Sequence, residues 1–127
     1  MNATERVYET LLVDEPAPGV ARLLLNRPDR YNAMTNTMFH ELEDVALALD
    51  DEHDLRVLVI SGRGKAFCAG FDLAEADGLV DLGAIGMLDQ QELAARALVA
   101  LRGLKVPVIA AVNGAAAGGG FSLALAA

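Results

Sequence analysis

Two apolar runs constrain this chain more than any other feature: Val57-Leu58-Val59-Ile60 and Val106-Pro107-Val108-Ile109-Ala110-Ala111-Val112. Each runs into a glycine-containing loop. A strand with one face in water alternates apolar with polar residues. A run with no polar position reads as a strand buried on both faces, the pattern of parallel strands covered by helices. Such strands need helical crossovers between them, and the sequence supplies helical periodicity in the right places. Met38, Leu42, Val45, Ala46 and Leu49 define one face of a helix capped by Thr35 or Asn36 and running to about Asp50. Leu93, Ala97, Ala100 and Leu101 define a second, from Leu88 to Leu101, stopped by Gly103. Val7 to Val13 and Val20 to Leu25 read as two further strands, joined by the turn-rich hexapeptide Asp14-Glu15-Pro16-Ala17-Pro18-Gly19. A helix is expected from Phe121 onward. Strand and helix alternate, so the fold class is α/β.

With 127 residues and 54% of them apolar, the chain fits one domain and excludes wholesale disorder. Its net charge of −8 argues against a nucleic-acid or anionic-membrane surface. Cys68 is the single cysteine, which excludes an intrachain disulfide framework and a cysteine metal cluster, and no metal site is expected. The start, Met-Asn-Ala-Thr-Glu-Arg, has no apolar core of a secretory signal, so a reducing, cytoplasmic setting is the expectation. Val106 to Ala127 is uncharged and long enough to span a bilayer. Its glycines, with Pro107 and Asn113, fit better a buried strand, a glycine loop and a buried helix. The final segment, Ser122-Leu123-Ala124-Leu125-Ala126-Ala127, is helical sequence without a stop signal, which suggests the front part of a longer fold.

The two loops after the apolar runs, Gly62 to Leu73 and Asn113 to Ser122, are where an α/β fold places ligands. Gly118-Gly119-Gly120 opens a helix with bare backbone N–H groups, suited to a phosphate or to the oxyanion of a thioester. Neither standard phosphate motif fits. Gly64-Lys65 is followed by Ala66, not Ser or Thr, and Gly114-x3-Gly118-Gly119-Gly120 is not the dinucleotide fingerprint.

Four segments in order resemble the crotonase superfamily of enoyl-CoA hydratases and isomerases. They are Leu25-Asn26-Arg27-Pro28 with Asn32-Ala33-Met34, then Ala66-Phe67-Cys68-Ala69-Gly70-Phe71-Asp72-Leu73, then Lys105 through Gly114, and last Gly118-Gly119-Gly120. The resemblance implies a superhelix of ββα units, of which residues 1–127 would be the N-terminal part of an acyl-CoA-binding core domain, incomplete at its C-terminus. It implies coenzyme A thioester substrates, no separate cofactor because coenzyme A is part of the substrate, and a homo-oligomer, trimer or hexamer.

By motif position the family's oxyanion hole falls on the backbone N–H groups of Phe71 and Gly119, with Gly70, Asp72 and Gly118 beside them. The coenzyme A adenine would lie near Ala69 and the Asp29-Arg30-Tyr31 segment, with Arg30 a candidate phosphate partner. Because the donor at 71 is backbone, the Phe side chain is free to line an acyl pocket. The first hydratase glutamate would stand three residues after the oxyanion glycine, where this chain has Ser122, and the second would fall beyond Ala127. A serine hydroxyl has no useful basicity near neutral pH without an activating base. Isomerase or divergent activity is therefore favoured over hydration, and a non-catalytic fragment or subunit that binds coenzyme A is the alternative.

The remaining polar residues read structurally. Asp72-Leu73-Ala74-Glu75 has the form of a capping box. His40 and His53 read as surface or packing residues, Cys68 as a small buried loop residue, and Asp50 to Asp54 as a solvated helix end. The Ala76–Gly86 loop, with Gly78, Gly83 and Gly86, is expected to be mobile without ligand and to bear on acyl selectivity.

Overall fold

The computed structural model describes residues 2–76 and 78–127. Its sheet has four strands in sequence order: β1 (Leu11–Ala17), β2 (Val20–Leu25), β3 (Val57–Gly62) and β4 (Val108–Ala110). β1 and β2 form an antiparallel hairpin, and β2, β3 and β4 run parallel. The connecting helices are α1 (Asn36–Asp50), α2 (Leu73–Ala76), α3 (Gly83–Arg102) and α4 (Gly119–Leu125). The expected α/β alternation is present.

α1 buries Met38, Leu42, Val45, Ala46 and Leu49, the face read from its periodicity, and adds Phe39. Thr35 is its cap, accepting a hydrogen bond from the Met38 amide at 3.2 Å. α1 and α3 share one core with Leu23, Leu58 and Ile60 of the sheet, α3 contributing Leu93, Ala97 and Leu101. Each fully buried side chain of that size contributes on the order of 1.5–3 kcal/mol of transfer free energy.

Several boundaries differ from expectation. β4 spans Val108–Ala110 rather than Val106–Val112, and β3 runs on to Gly62. The first strand begins at Leu11, not Val7, because a side chain takes its amides: Glu41 of α1 accepts from the backbone N–H groups of Glu9 and Thr10 at 2.7 and 2.8 Å. Asp44 meanwhile holds Arg6 and Tyr8. β1 also extends through Glu15 and Pro16 to Ala17, with an irregularity in register between Asp14 and Ala17. Proline lacks a donor, and an edge strand tolerates that loss. α3 starts at Gly83, five residues before the expected Leu88, after a 3-10 turn over Leu79–Leu82. Asp77, within the segment expected to be mobile, lies outside the described residues. α4 starts at Gly119 rather than Phe121.

Of the apolar strands, β3 is buried on one face only and β4 is at most half-buried. Leu58 and Ile60 are fully buried, whereas Val57 and Val59 are half-buried and Ile109 is 52% exposed. α1 and α3 both cover the same side of the sheet, and no described element closes the other. The uncharged Val106–Ala127 stretch divides into β4, a loop and α4. Among the described residues no helix is long and apolar enough to cross a membrane.

Candidate active site

Three loops leave the C-terminal ends of β2, β3 and β4 and converge at one edge of the sheet, the usual ligand edge of parallel strands. Their docking is largely backbone to backbone. Ala69 donates to the Tyr31 carbonyl at 3.0 Å, and Met34 donates to Gly70 at 2.7 Å while accepting from Asp72 at 2.9 Å. Phe67 and Cys68 donate to the Ala115 carbonyl at 3.0 and 3.1 Å, and Ala117 donates to that of Cys68 at 3.1 Å.

Two asparagines lock this arrangement, Asn32 from inside and Asn113 from the exposed side. Asn32 is fully buried in the left-handed region (φ 57°), accepts from the Arg27 amide at 2.8 Å and donates to the carbonyls of Arg63 and Ala66. Asn113 accepts from the Gly62 amide at 3.0 Å and donates to the Gly64 carbonyl at 3.1 Å. The Cys68 thiol is buried and donates to the Asn32 carbonyl, and burial pushes its pKa up, as fits a packing residue.

The glycines at the junction do different things. Gly70 (φ 99°) and Gly118 (φ 53°) hold backbone conformations that L side chains rarely adopt, and they face each other. A Cβ on Gly118 would stand 3.9 Å from the Gly70 Cα, and one on Gly70 would stand 3.5 Å from the Gly119 nitrogen. Gly120 is set against the Cys68 carbonyl, where a Cβ would come within 2.2 Å. Among the described residues, the N–H groups of Phe71 and Gly119 meet no protein acceptor, as is also true of Leu73 and Gly118, while the amides of Asp72, Ala74 and Glu75 are taken.

The Phe71 ring packs on the buried Phe39 (centroids 5.4 Å apart, planes at 57°) and lies 4.0 Å from where a Gly119 Cβ would be. Phe71 also lines a groove of about 400 Å³ together with Asp29, Arg30, Tyr31, Ala69, Asp72 and Leu73 among others. The groove thus brings together Arg30, Tyr31, Ala69, Phe71 and Asp72. Gly70 joins Ala69 to Phe71, while Gly118 and Gly119 stand across the loop junction and do not line the groove.

Two features were not legible from the sequence. Arg27 donates to the Asp72 carboxylate at 2.9 Å and to the Ala33 carbonyl at 2.6 Å, tying the first loop to the second. The Arg27 guanidinium, with help from the backbone, holds the Asp72 carboxyl below the usual carboxylate range. Asp72 caps α2 as expected, accepting from Ala74 and Glu75 amides at 2.8 and 3.3 Å. The box is not closed, however: Glu75 accepts instead from the Asn36 amide of α1 at 2.9 Å, because the Asp72 amide is already given to Met34. Ser122 is exposed, with its hydroxyl 3.5 Å from the Gly118 carbonyl. Among the described residues no cluster of His, Cys, Asp or Glu could hold a metal ion.

Comparison with known proteins agrees with this architecture. The enoyl-CoA hydratase/isomerase family model matches residues 15–127. A probable enoyl-CoA hydratase of Mycobacterium leprae is 39% identical over 127 residues, covering 95% of this chain and 42% of that protein. The crystal structure of an enoyl-CoA hydratase from Bacillus anthracis superposes with a TM-score of 0.87 at 34% identity, over 93% of this chain and 45% of that one. A monofunctional enoyl-CoA isomerase from M. smegmatis superposes at 0.74 with 37% identity, over 92% of this chain and 46% of that one. The chain thus spans less than half the length of these relatives. Its sheet, its convergent loops and the family match over nearly its whole length make it a member of the enoyl-CoA hydratase/isomerase family, with the crotonase fold.

Proposed function

We propose that the intact protein binds acyl-CoA thioesters and stabilises a thioester enolate between the N–H groups of Phe71 and Gly119. The single observation behind this is that these two amides lack acceptors on either side of the Gly70–Gly118 contact, beside the groove that holds Arg30, Tyr31 and Ala69. Fixed donors stabilise developing negative charge without reorganising during the reaction, and losing one typically costs about 3 kcal/mol in the barrier. Arg30, Tyr31 and Ala69 would receive the coenzyme A portion, with Gly70, Asp72 and Gly118 shaping the thioester end. No separate cofactor is required. A trimeric or hexameric assembly belongs to the same reading.

Within this class we favour double-bond migration or a divergent reaction over hydration. Migration needs one group to take the C2 proton of a 3-enoyl thioester and return it at C4, while the electron pair passes through the enolate. Hydration needs two placed acids or bases, and Ser122 occupies the position of the first. Given 2-enoyl-CoA and 3-enoyl-CoA, the intact protein should migrate the double bond faster than it adds water. The reverse order overturns the preference. Tight acyl-CoA binding with no turnover of either supports instead the non-catalytic reading that Ser122 also suggests.

Gly119→Pro tests the oxyanion placement. It removes the N–H at the first position of α4, where proline is compatible with a helix, though its ring presses on the Met34 sulfur. With folding verified by a thermal melt, kcat should fall about a hundredfold or more at nearly unchanged coenzyme A affinity. A folded variant with normal kcat shows that the donor lies elsewhere.

A further inference from the structure

The Arg27–Asp72 pair stands at an electrically sensitive place. Asp72 follows directly the residue whose amide is the proposed donor, and its carboxylate is charged at any working pH unless something neutralises it. Its side chain is 12% exposed and that of Arg27 21%, so water screens neither fully. The carboxylate is fixed at three points: Oδ2 accepts from Arg27, and Oδ1 accepts from the Ala74 and Glu75 amides. Arg27 is fixed in turn by the Ala33 carbonyl and by Asn32, which takes its backbone amide. Met34, next to Ala33, bonds the residues on either side of Phe71. Guanidinium, carboxylate and donor peptide therefore form one rigid unit.

We propose that Arg27 is a positioning residue acting through Asp72: it binds and neutralises the carboxylate beside the Phe71 amide, so that this charge neither turns toward nor opposes the negative charge developing on the thioester oxygen. This rests on the oxyanion reading above. It makes a prediction that a purely structural ion pair does not. Removing the cation alone leaves an uncompensated anion beside the oxyanion site and is harmful, removing the anion as well repairs the damage, and removing the anion alone favours the enolate beyond wild type. A pair that merely braces the loops would not let the Asp72 variant exceed wild type, because that variant lacks the brace just as the Arg27 variant does. Repair in the double variant is common to both readings, since removing both charges also relieves a stranded buried one.

The probe is a 3-ketoacyl-CoA. Loss of its C2 proton to solvent leaves an electron pair shared between the 3-oxygen and the thioester oxygen, and the bound enolate is read by its ultraviolet absorbance at fixed pH. With the intact protein, Arg27→Met should lower the ratio of bound enolate to bound keto form about tenfold, one unit in the logarithm of an equilibrium constant. Asp72→Asn, which keeps a capping side chain, should raise that ratio above wild type, and the double variant should return to within about threefold of wild type. Arg27→Gln carries the same expectation and serves if Arg27→Met does not fold. An Asp72→Asn variant at or below the wild-type ratio, a double variant as poor as Arg27→Met, or an Arg27 variant with a wild-type ratio overturns the assignment. If the wild-type protein itself fails to enrich the enolate over free solution, the oxyanion reading falls, and this inference falls with it.

Discussion

Gly120→Ala separates packing from chemistry among the three consecutive glycines. The added Cβ would lie 2.2 Å from the Cys68 carbonyl oxygen, 2.7 Å from its Cβ and 2.8 Å from its carbonyl carbon. That is roughly 1.3 Å inside the ~3.5 Å at which non-bonded heavy atoms attract best. Retreat is difficult: the Cys68 backbone is anchored by its own amide to Ala115 and by its carbonyl to Ala117, and the residue is fully buried. Overpacking a tight core typically costs 1–3 kcal/mol, and a clash with anchored backbone belongs at the upper end, about 3 kcal/mol. Gly119→Ala makes the contrast. Its Cβ would meet the Met34 sulfur at 3.0 Å, and a thioether side chain can shift by a few tenths of an ångström, so the cost should stay near or below about 1 kcal/mol. Urea denaturation of both variants, followed by circular dichroism, measures the difference through the transition midpoint. Equal stabilities for the two, or a Gly120→Ala variant within about 0.5 kcal/mol of wild type, would refute the division of roles.

Two further outcomes follow from the loop junction. Asp72 has a native pKa below its ordinary 3.8, so the unfolded state binds more protons in that range and stability rises with pH through it. The pair's contribution should be complete above about pH 4 and lost as the pH falls through the native value. An Arg27→Met variant should accordingly show a flatter fall in urea midpoint between about pH 5 and 2, and parallel profiles would contradict the pairing. Asn32→Ala should cost about 2–4 kcal/mol, since it deletes three hydrogen bonds of a buried side chain and puts alanine in a left-handed conformation. Asn32→Gly keeps that conformation accessible and should recover about 1 kcal/mol of the loss in the same denaturation assay.

The sequence by itself determined whatever depends on near neighbours. The 3.6-residue period of Met38, Leu42, Val45 and Leu49 fixed the buried face of α1, because side chains at that spacing share one side of a helix. Thr35 and Asp72 were legible as caps because a cap and the amides it serves lie within three residues. The ordered motifs were specific enough to indicate the family, since close loop packing fixes residue types at fixed offsets.

Tertiary structure decided the rest, in each case through a partner distant in the chain. Val7 to Thr10 has the composition of a strand, yet Glu41 and Asp44 of α1 take its polar groups, so β1 starts late. Glu75 is spaced to close its own capping box but serves α1, because Met34 reached the Asp72 amide first. The apolar runs in β3 and β4 announced two covered faces, and the helices α1 and α3 cover only one. Arg27 stands within a recognisable motif, but its role emerges only when the loop brings it 2.9 Å from a carboxylate 45 residues away. Periodicity and local spacing report which side chains can share a surface. Which groups across the chain compete for one donor or one charge is settled only when the fold brings them together.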